Sequence, residues 1–217
     1  RIALEYAFRR SGPMSMAPSQ LGIFMKSDAM FDTPNIEFHV QPLSLEAFGQ
    51  PLHDFPAITV SVCNLRPQSR GTVKIVSPDF DRHPEIAPNY LSTDSDRQVA
   101  ADSIKAARRL MATRRMAQYR PEEFKPGTAI QSPEELARAA GDIATTIFHP
   151  VGTAMMGTDE LAVVVPELRV RGVEGLRVVD CSIMPTIVSG NTHAPAVMIA
   201  EKAAQMVAAG ARSVQFA

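Results

Sequence analysis

Cysteine is scarce in this 217-residue chain, which has only Cys63 and Cys181. They stand far apart, in none of the paired spacings that mark metal-ligand or redox motifs. No metal centre is therefore expected from the sequence. A reducing, cytoplasmic setting with both thiols as small buried hydrophobes is the simplest reading. Long apolar runs are missing too: none approaches the roughly 18 residues that a membrane span needs, although association with a membrane surface stays open. Charge imbalance is also absent. Lys and Arg number 22 against 23 Asp and Glu, a formal net charge of −1, so no global field draws the chain to nucleic acid or anionic lipid. The densest basic cluster (Arg108, Arg109, Arg114 and Arg115) falls at the end of a predicted helix, where cations complement the helix dipole. The sequence shows no internal repeat or low-complexity segment, and no signal peptide is visible in it. The chain opens at Arg1 instead of Met and enters a helical pattern at once, so it reads as a piece of something longer.

Hydrophobic residues make up 45% and charged residues 21% of the chain, the profile of a globular protein with room for one generous domain or two small ones. After a first short helix (Ile2, Leu4, Phe8), Gly12-Pro13 and Pro18 mark an irregular stretch. Three strand-like runs follow. Asn35 to Val40 alternates, with Ile36, Phe38 and Val40 on one face and Glu37 and His39 on the other. Ala57 to Cys63 alternates likewise, and Thr72 to Ser77 is a β-branched run after the Arg70-Gly71 turn. They predict an antiparallel or mixed sheet with one solvated or ligand-facing side. A helix over about 94–114 buries Ala100, Ser103, Ile104, Ala107 and Met111. A second opens on Ser132-Pro133-Glu134-Glu135, a capping box with proline in the first turn, and buries Leu136, Ala140, Ile143 and Ile147. Residues 121–132 between them read as a surface loop. From His149 onward the texture changes to turns and the short runs Leu161 to Val165, Leu168 to Val170 and Leu176 to Asp180. A last helix starts near Thr192 with Pro195 in its first turn and ends at Gly210.

Two segments carry a resemblance. Phe148 to Gly157 reads FHPVGTAMMG, and Leu176 to Lys202 reads LRVVDCSIMPTIVSGNTHAPAVMIAEK. In this order and spacing they resemble the closing signature of the glucose–methanol–choline (GMC) oxidoreductases, choline-dehydrogenase-like members above all. Gly12-Pro13, Asn35 to Pro42, Ser69 to Thr72 and Pro88 to Leu91 fit the same family, so the likeness covers nearly the whole chain. It implies an α+β fold: a substrate-domain sheet flanked by helices over residues 1–150, then over 151–217 the C-terminal strand and helix of a Rossmann-like FAD domain. The family's G-x-G-x-x-G fingerprint for the dinucleotide is missing, since no G-x-G occurs among the twelve glycines. The chain by itself is therefore expected to hold FAD weakly or not at all.

Oxidising an alcohol by hydride transfer requires a base for the hydroxyl proton, and histidine is the natural choice. His149 stands between a helix end and a tight Pro-Gly turn. By spacing alone a lone histidine at a helix end is more often a cap or surface residue; the resemblance makes it the catalytic base. The resemblance also implies that Asn191 is the second polar partner, hydrogen-bonding the substrate oxygen, while its plain reading is an N-cap for the last helix. His193 is the competing candidate for that partner. Asp180, Cys181, Asn191, Thr192 and Pro195 are implied as flavin contacts, with the last helix aiming its N-terminus at the flavin. Glu37 and His39 are implied as part of the roof over the substrate, against a plain reading as solvated strand residues. His53 and His83 receive no role.

The expected partner is a primary alcohol, choline-like or aliphatic, with no nucleic acid involved. The uncovered flavin-facing surface would also allow self-association. Competing readings are a non-redox lyase for hydroxynitriles on the same fold, and a folded piece without activity of its own. A hydrolase using Ser182 or Ser189 with His149 and Asp180 is disfavoured by the lack of a G-x-S-x-G elbow.

Overall fold

A computed structural model describes every residue except Arg1, Pro18, Phe48, Phe216 and Ala217; the part of the irregular stretch at Pro18 thus lies outside the described residues. The chain divides into two compact units: residues 1–64 with 98–140, and residues 65–97 with 141–217.

In the first unit a short exposed helix, α1 (Ile2–Arg9), precedes three strands, β1 (Leu21–Met25), β2 (Ile36–Gln41) and β3 (Thr59–Asn64). They form an antiparallel sheet in the order β1-β2-β3. The alternation in the sequence decides which face is buried. Ile36 and Phe38 of the central strand are wholly buried and pack with Ile23, Met25, Val60 and Val62. Val99 and Ala106 of the helix α2 (Asp94–Met111) close this core. β1 does not stand out in the sequence, because Gly22 interrupts its pattern and Leu21 and Phe24 are exposed.

Helix α2 buries Val99, Ala101, Ser103 and Ala106; of the expected stripe Ser103 is buried, whereas Ala100, Ile104, Ala107 and Met111 are half-buried. The helix stops at Met111, and a separate short helix, α3 (Arg114–Ala117), carries the next two arginines. Arg108 binds both Glu123 carboxylate oxygens at 2.8 Å and the carbonyls of Gly127 and Ile130. Part of the basic cluster thus pins the 121–132 loop.

Helix α4 (Pro133–Ile143) opens as its capping box demands. Ser132 Oγ accepts from the Glu135 amide at 3.2 Å, and Glu135 Oε2 accepts from the Ser132 amide and hydroxyl. The same bonds lower the Glu135 pKa. The helix is shorter than its apolar stripe suggests: Leu136, Ala139 and Ala140 are buried, whereas Ile143 and Ile147 are exposed.

The second unit contains a two-stranded antiparallel ribbon, β4 (Thr72–Lys74) and β5 (Glu85–Ala87). Strand β4 covers only the start of the β-branched run, is shorter than Thr72 to Ser77, and does not join the main sheet. Gly71 fixes its entry, since a Cβ there would lie 2.2 Å from the Ala87 carbonyl oxygen. Asp96, buried in the first turn of α2, organises the segment before the ribbon. Its carboxylate accepts from the Gln68 amide at 3.0 Å, the Ser69 amide at 2.7 Å and the Ser69 hydroxyl, while its own amide donates to Thr93 Oγ1. Burial works to raise the Asp96 pKa, but these hydrogen bonds outweigh it and the net shift is downward. An Asp96→Asn variant is therefore expected to lose about 1.5–3 kcal/mol of stability at neutral pH, read from the urea midpoint. Because the folded pKa is depressed, that stability is present above the unfolded value of about 3.9 and is lost as pH falls through the folded one. The difference between variant and wild type should close under acid.

The rest of the unit is a core of Val164, Leu168, Ile183, Met184, Ile199 and Ala203. The runs expected as strands around 161–180 make only isolated bridges, Met156 with Val164, Val164 with Val170, and Arg169 with Arg177. The tight turns at Gly172 and Gly175, both at positive φ, leave each run too short for a ladder, and no Rossmann-type strand forms among the described residues. The final helix, α5 (His193–Gln215), runs through Gly210 instead of stopping there. A helical glycine costs about 1 kcal/mol relative to alanine, which the alanine-rich turns around it tolerate. Among the described residues, no helix is long and apolar enough to cross a membrane.

Candidate active site

The second unit brings together two segments some forty residues apart. Cys181–Ile183 form a single 3₁₀ turn, capped by Asp180, whose Oδ1 accepts from the Ser182 amide at 2.7 Å. Against this turn the 149–157 loop lays its backbone: the Ala154 amide donates to the Ser182 carbonyl at 3.0 Å, and the Met156 amide to the Ile183 carbonyl at 2.8 Å. Gly152 sits at φ 88°, and a Cβ there would press on the Met184 carbonyl oxygen at 3.3 Å, which is why the Pro-Val-Gly turn needs its glycine.

His149 stands at the start of this loop, directly after Phe148, which adopts φ 63°. A bulky residue in the left-handed region is strained. Local bonds hold the segment: the Phe148 amide donates to Thr146 Oγ1 at 3.0 Å, and the Tyr90 hydroxyl donates to the same oxygen at 3.0 Å.

The His149 ring is engaged at both nitrogens. Asn191 Nδ2 lies 3.0 Å from Nε2, and Thr192 Oγ1 lies 2.7 Å from Nδ1. An amide nitrogen can only donate, so Nε2 accepts. The neutral ring then carries its proton on Nδ1 and donates it to Thr192. The in-plane lone pair of Nε2 therefore faces the exposed Asn191 amide, where a proton from a third group would be taken. Thr192 is buried, and its carbonyl accepts the first helical bond of α5, from the Ala196 amide at 2.9 Å, and a weak bond from Cys181 Sγ at 3.7 Å. Thr192, not Asn191, is thus the N-cap residue, and its hydroxyl is spent on His149. Among the described residues, no acceptor meets the amides of His193 and Ala194 at the start of α5, and Pro195 has no amide to satisfy.

The sequence expectations meet this geometry unevenly. His149, Asn191 and Thr192 are in direct contact; Asp180 and Cys181 form the supporting turn, and Pro195 lies in the first turn of α5. His193 makes no side-chain bond to His149 among the described residues. The hydrolase arrangement is not assembled: Ser189 Oγ accepts from Arg66 Nε at 3.0 Å, and Asp180 caps its own turn. Arg66, which steadies the turn before Asn191, escaped sequence reasoning because only the fold brings it near. Glu37 and His39 belong to the first unit, on the face of β2 opposite the core, with Cys63 across from Glu37. His53, without a role in the sequence reading, bonds Ser44 Oγ through Nδ1 at 2.8 Å and Glu46 through Nε2 at 3.2 Å, and stacks on Phe55.

Comparison with known proteins adds the following. The GMC oxidoreductase family model matches residues 67–200. The chain is 40% identical over 207 residues to an oxygen-dependent choline dehydrogenase of Proteus mirabilis, covering 95% of this chain and 37% of that protein. It is also 40% identical over 203 residues to an alcohol dehydrogenase (acceptor) of Pseudomonas putida, covering 94% and 37%. Among solved structures, an Aspergillus oryzae formate oxidase variant studied for FAD modification superimposes with a TM-score of 0.86 at 25% identity, covering 98% of this chain and 42% of that one. The chain thus spans little more than a third of the length of these curated relatives.

Proposed function

The chain belongs to the GMC oxidoreductase family, and from that premise we propose that it supplies the alcohol-oxidising residues of a longer FAD-dependent enzyme. In this reading residues 1–150 contribute substrate-binding structure, with Glu37 and His39 near the substrate, and residues 151–217 are the closing segment of the FAD domain. The substrate is a primary alcohol, choline-like or aliphatic, and the product an aldehyde.

The observation that carries the reading is the His149 ring held at both nitrogens. An alcohol that meets this pair donates its hydroxyl proton to His149 Nε2, while its oxygen accepts from Asn191 Nδ2. As negative charge grows on that oxygen the amide bond strengthens, so Asn191 acts most in the transition state. Thr192 keeps the ring in the tautomer whose unprotonated nitrogen is Nε2, so the alcohol proton takes the place of the Asn191 N–H there. FAD would supply the hydride-accepting group for such a reaction. The residues present would fit the negative charge that its ring gains on reduction: the α5 N-terminus offers the His193 and Ala194 amides and the positive end of the helix dipole. The absence of any G-x-G leaves the pyrophosphate without its usual cradle here, so the chain by itself is expected to turn over no alcohol.

The test is anaerobic mixing of the complete flavoprotein with a panel of primary alcohols including choline, following the flavin's visible absorbance. Bleaching identifies the substrate class. A bound flavin that no alcohol bleaches would overturn the dehydrogenase reading in favour of a non-redox lyase. In the same assay Thr192→Val, which removes the Nδ1 partner without changing size much, should slow flavin reduction by about tenfold, the worth of one hydrogen bond of about 1.4 kcal/mol. The KM for the alcohol should move less, because the lost bond orients the base and does not touch substrate.

A further inference from the structure

In an antiparallel sheet, residues two apart on one strand share a face with the residue directly across on the neighbouring strand. β2 and β3 place Glu37, His39 and Cys63 in this relation, with Glu37 registered against Cys63. One donor atom from each lies within 4.8 Å of the other two. His39 Nε2 is 3.4 Å from Glu37 Oε1, and Cys63 Sγ is 4.0 Å from Glu37 Oε2. Bonds of about 2.0–2.1 Å to nitrogen and oxygen and 2.3 Å to sulfur set tetrahedral donors roughly 3.3–3.6 Å apart, so small side-chain movements would close the three around one ion.

The groups are also poorly provided for without a cation. The Glu37 side chain is only 6% exposed, and among the described residues its sole ion-pair partner is His39. That contact is not directed as a hydrogen bond, and His39 Nε2 is buried with no hydrogen-bond partner. Burial, and then the Glu37 charge, push the Cys63 thiol up to about 11, so it keeps its proton and donates it weakly to the Glu37 carbonyl at 3.6 Å. A buried carboxylate, an orphaned imidazole nitrogen and a desolvated thiol are costly side by side, and a divalent ion would satisfy all three.

We propose that Glu37, His39 and Cys63 form a zinc-type site with three protein ligands and a fourth position open to water. Thiolate with imidazole selects zinc or cobalt over magnesium or calcium. As the sulfur–metal bond forms, the Cys63 proton passes to solvent and no electrons are transferred. Affinity should therefore rise about tenfold per pH unit below the thiol's pKa. The site does not depend on flavin chemistry, and its test reads no turnover.

Cobalt(II) titrated into the reduced 217-residue chain, without oxygen, should bind at one equivalent. A sulfur-to-cobalt charge-transfer band in the near ultraviolet and the intense visible bands of a four-coordinate site should appear, and zinc should bleach both. Cys63→Ser should abolish the charge-transfer band and weaken zinc binding by more than the ~10–100-fold that loss of an outer-shell partner costs. Cys181→Ser should change neither. His39→Gln should weaken binding while keeping some charge transfer, and circular dichroism checks that each variant is folded. A folded wild-type chain without the charge-transfer band, or a band that survives in Cys63→Ser or vanishes in Cys181→Ser, overturns the site.

Discussion

A His149→Ala variant of the complete flavoprotein should bind its flavin normally and reduce it with alcohol about a hundredfold or more slowly than wild type, the loss expected when a general base is removed. The size of the effect follows from the geometry. Nε2 is the acceptor of the His149–Asn191 pair, and no carboxylate or second imidazole bonds to either partner among the described residues. Alanine therefore leaves the hydroxyl proton with water as its only recipient. Stopped-flow reduction at saturating alcohol measures the chemical step, and imidazole added to the buffer should restore part of the rate in the variant alone. A variant that reduces flavin at the wild-type rate would remove His149 from the chemistry.

The second large effect is expected at Asn191. In the proposed reading Asn191→Ala removes a side-chain donor to the substrate oxygen, and losses of about 10²–10³ in kcat accompany such removals. Because the bond strengthens as charge develops, kcat and kcat/KM should fall together. A merely structural role predicts something else. If Asn191 only shaped the turn between Ser189 and Thr192, the variant would unfold at lower urea while its chemical step stayed near wild type. Thr192 caps α5 through its own carbonyl, so the helix should survive the substitution.

Local rules in the sequence account for the elements whose signals were strong. The Ser132–Glu135 capping box forms bond for bond, and the alternation in 35–40 and 57–63 selects the buried face of the sheet. Where several local choices were nearly equal, tertiary packing decided. The alanine-rich α2 buries Val99, Ala101 and Ala106 beside the expected Ser103, and leaves Ala100, Ile104, Ala107 and Met111 half-buried. β1, broken by Gly22, exists because β2 offers it an edge. Gly210 is carried inside a helix that its neighbours favour.

The site divides along the same line. Residue types and order marked out His149 and Asn191, but that they touch, and that Thr192 takes Nδ1, depends on a 3₁₀ turn that no local pattern announces. Cys63 is the extreme case. Alone in sequence, it gains Glu37 and His39 only through strand register.

The backbone bonds from Ala154 to Ser182 and from Met156 to Ile183 have a bearing on how such a site changes over evolutionary time. They tie the segment bearing His149 to the segment leading to Asn191 through main-chain amides and carbonyls, which any residue but proline supplies at the donor positions, so apart from Gly152 these bonds ask for no particular side chain along the seam. Those side chains can therefore be replaced while His149 and Asn191 stay in step. Inserting or deleting a single residue in either segment would shift the seam by one place and part the two. Substitution is thus the open route here, and change of length the closed one.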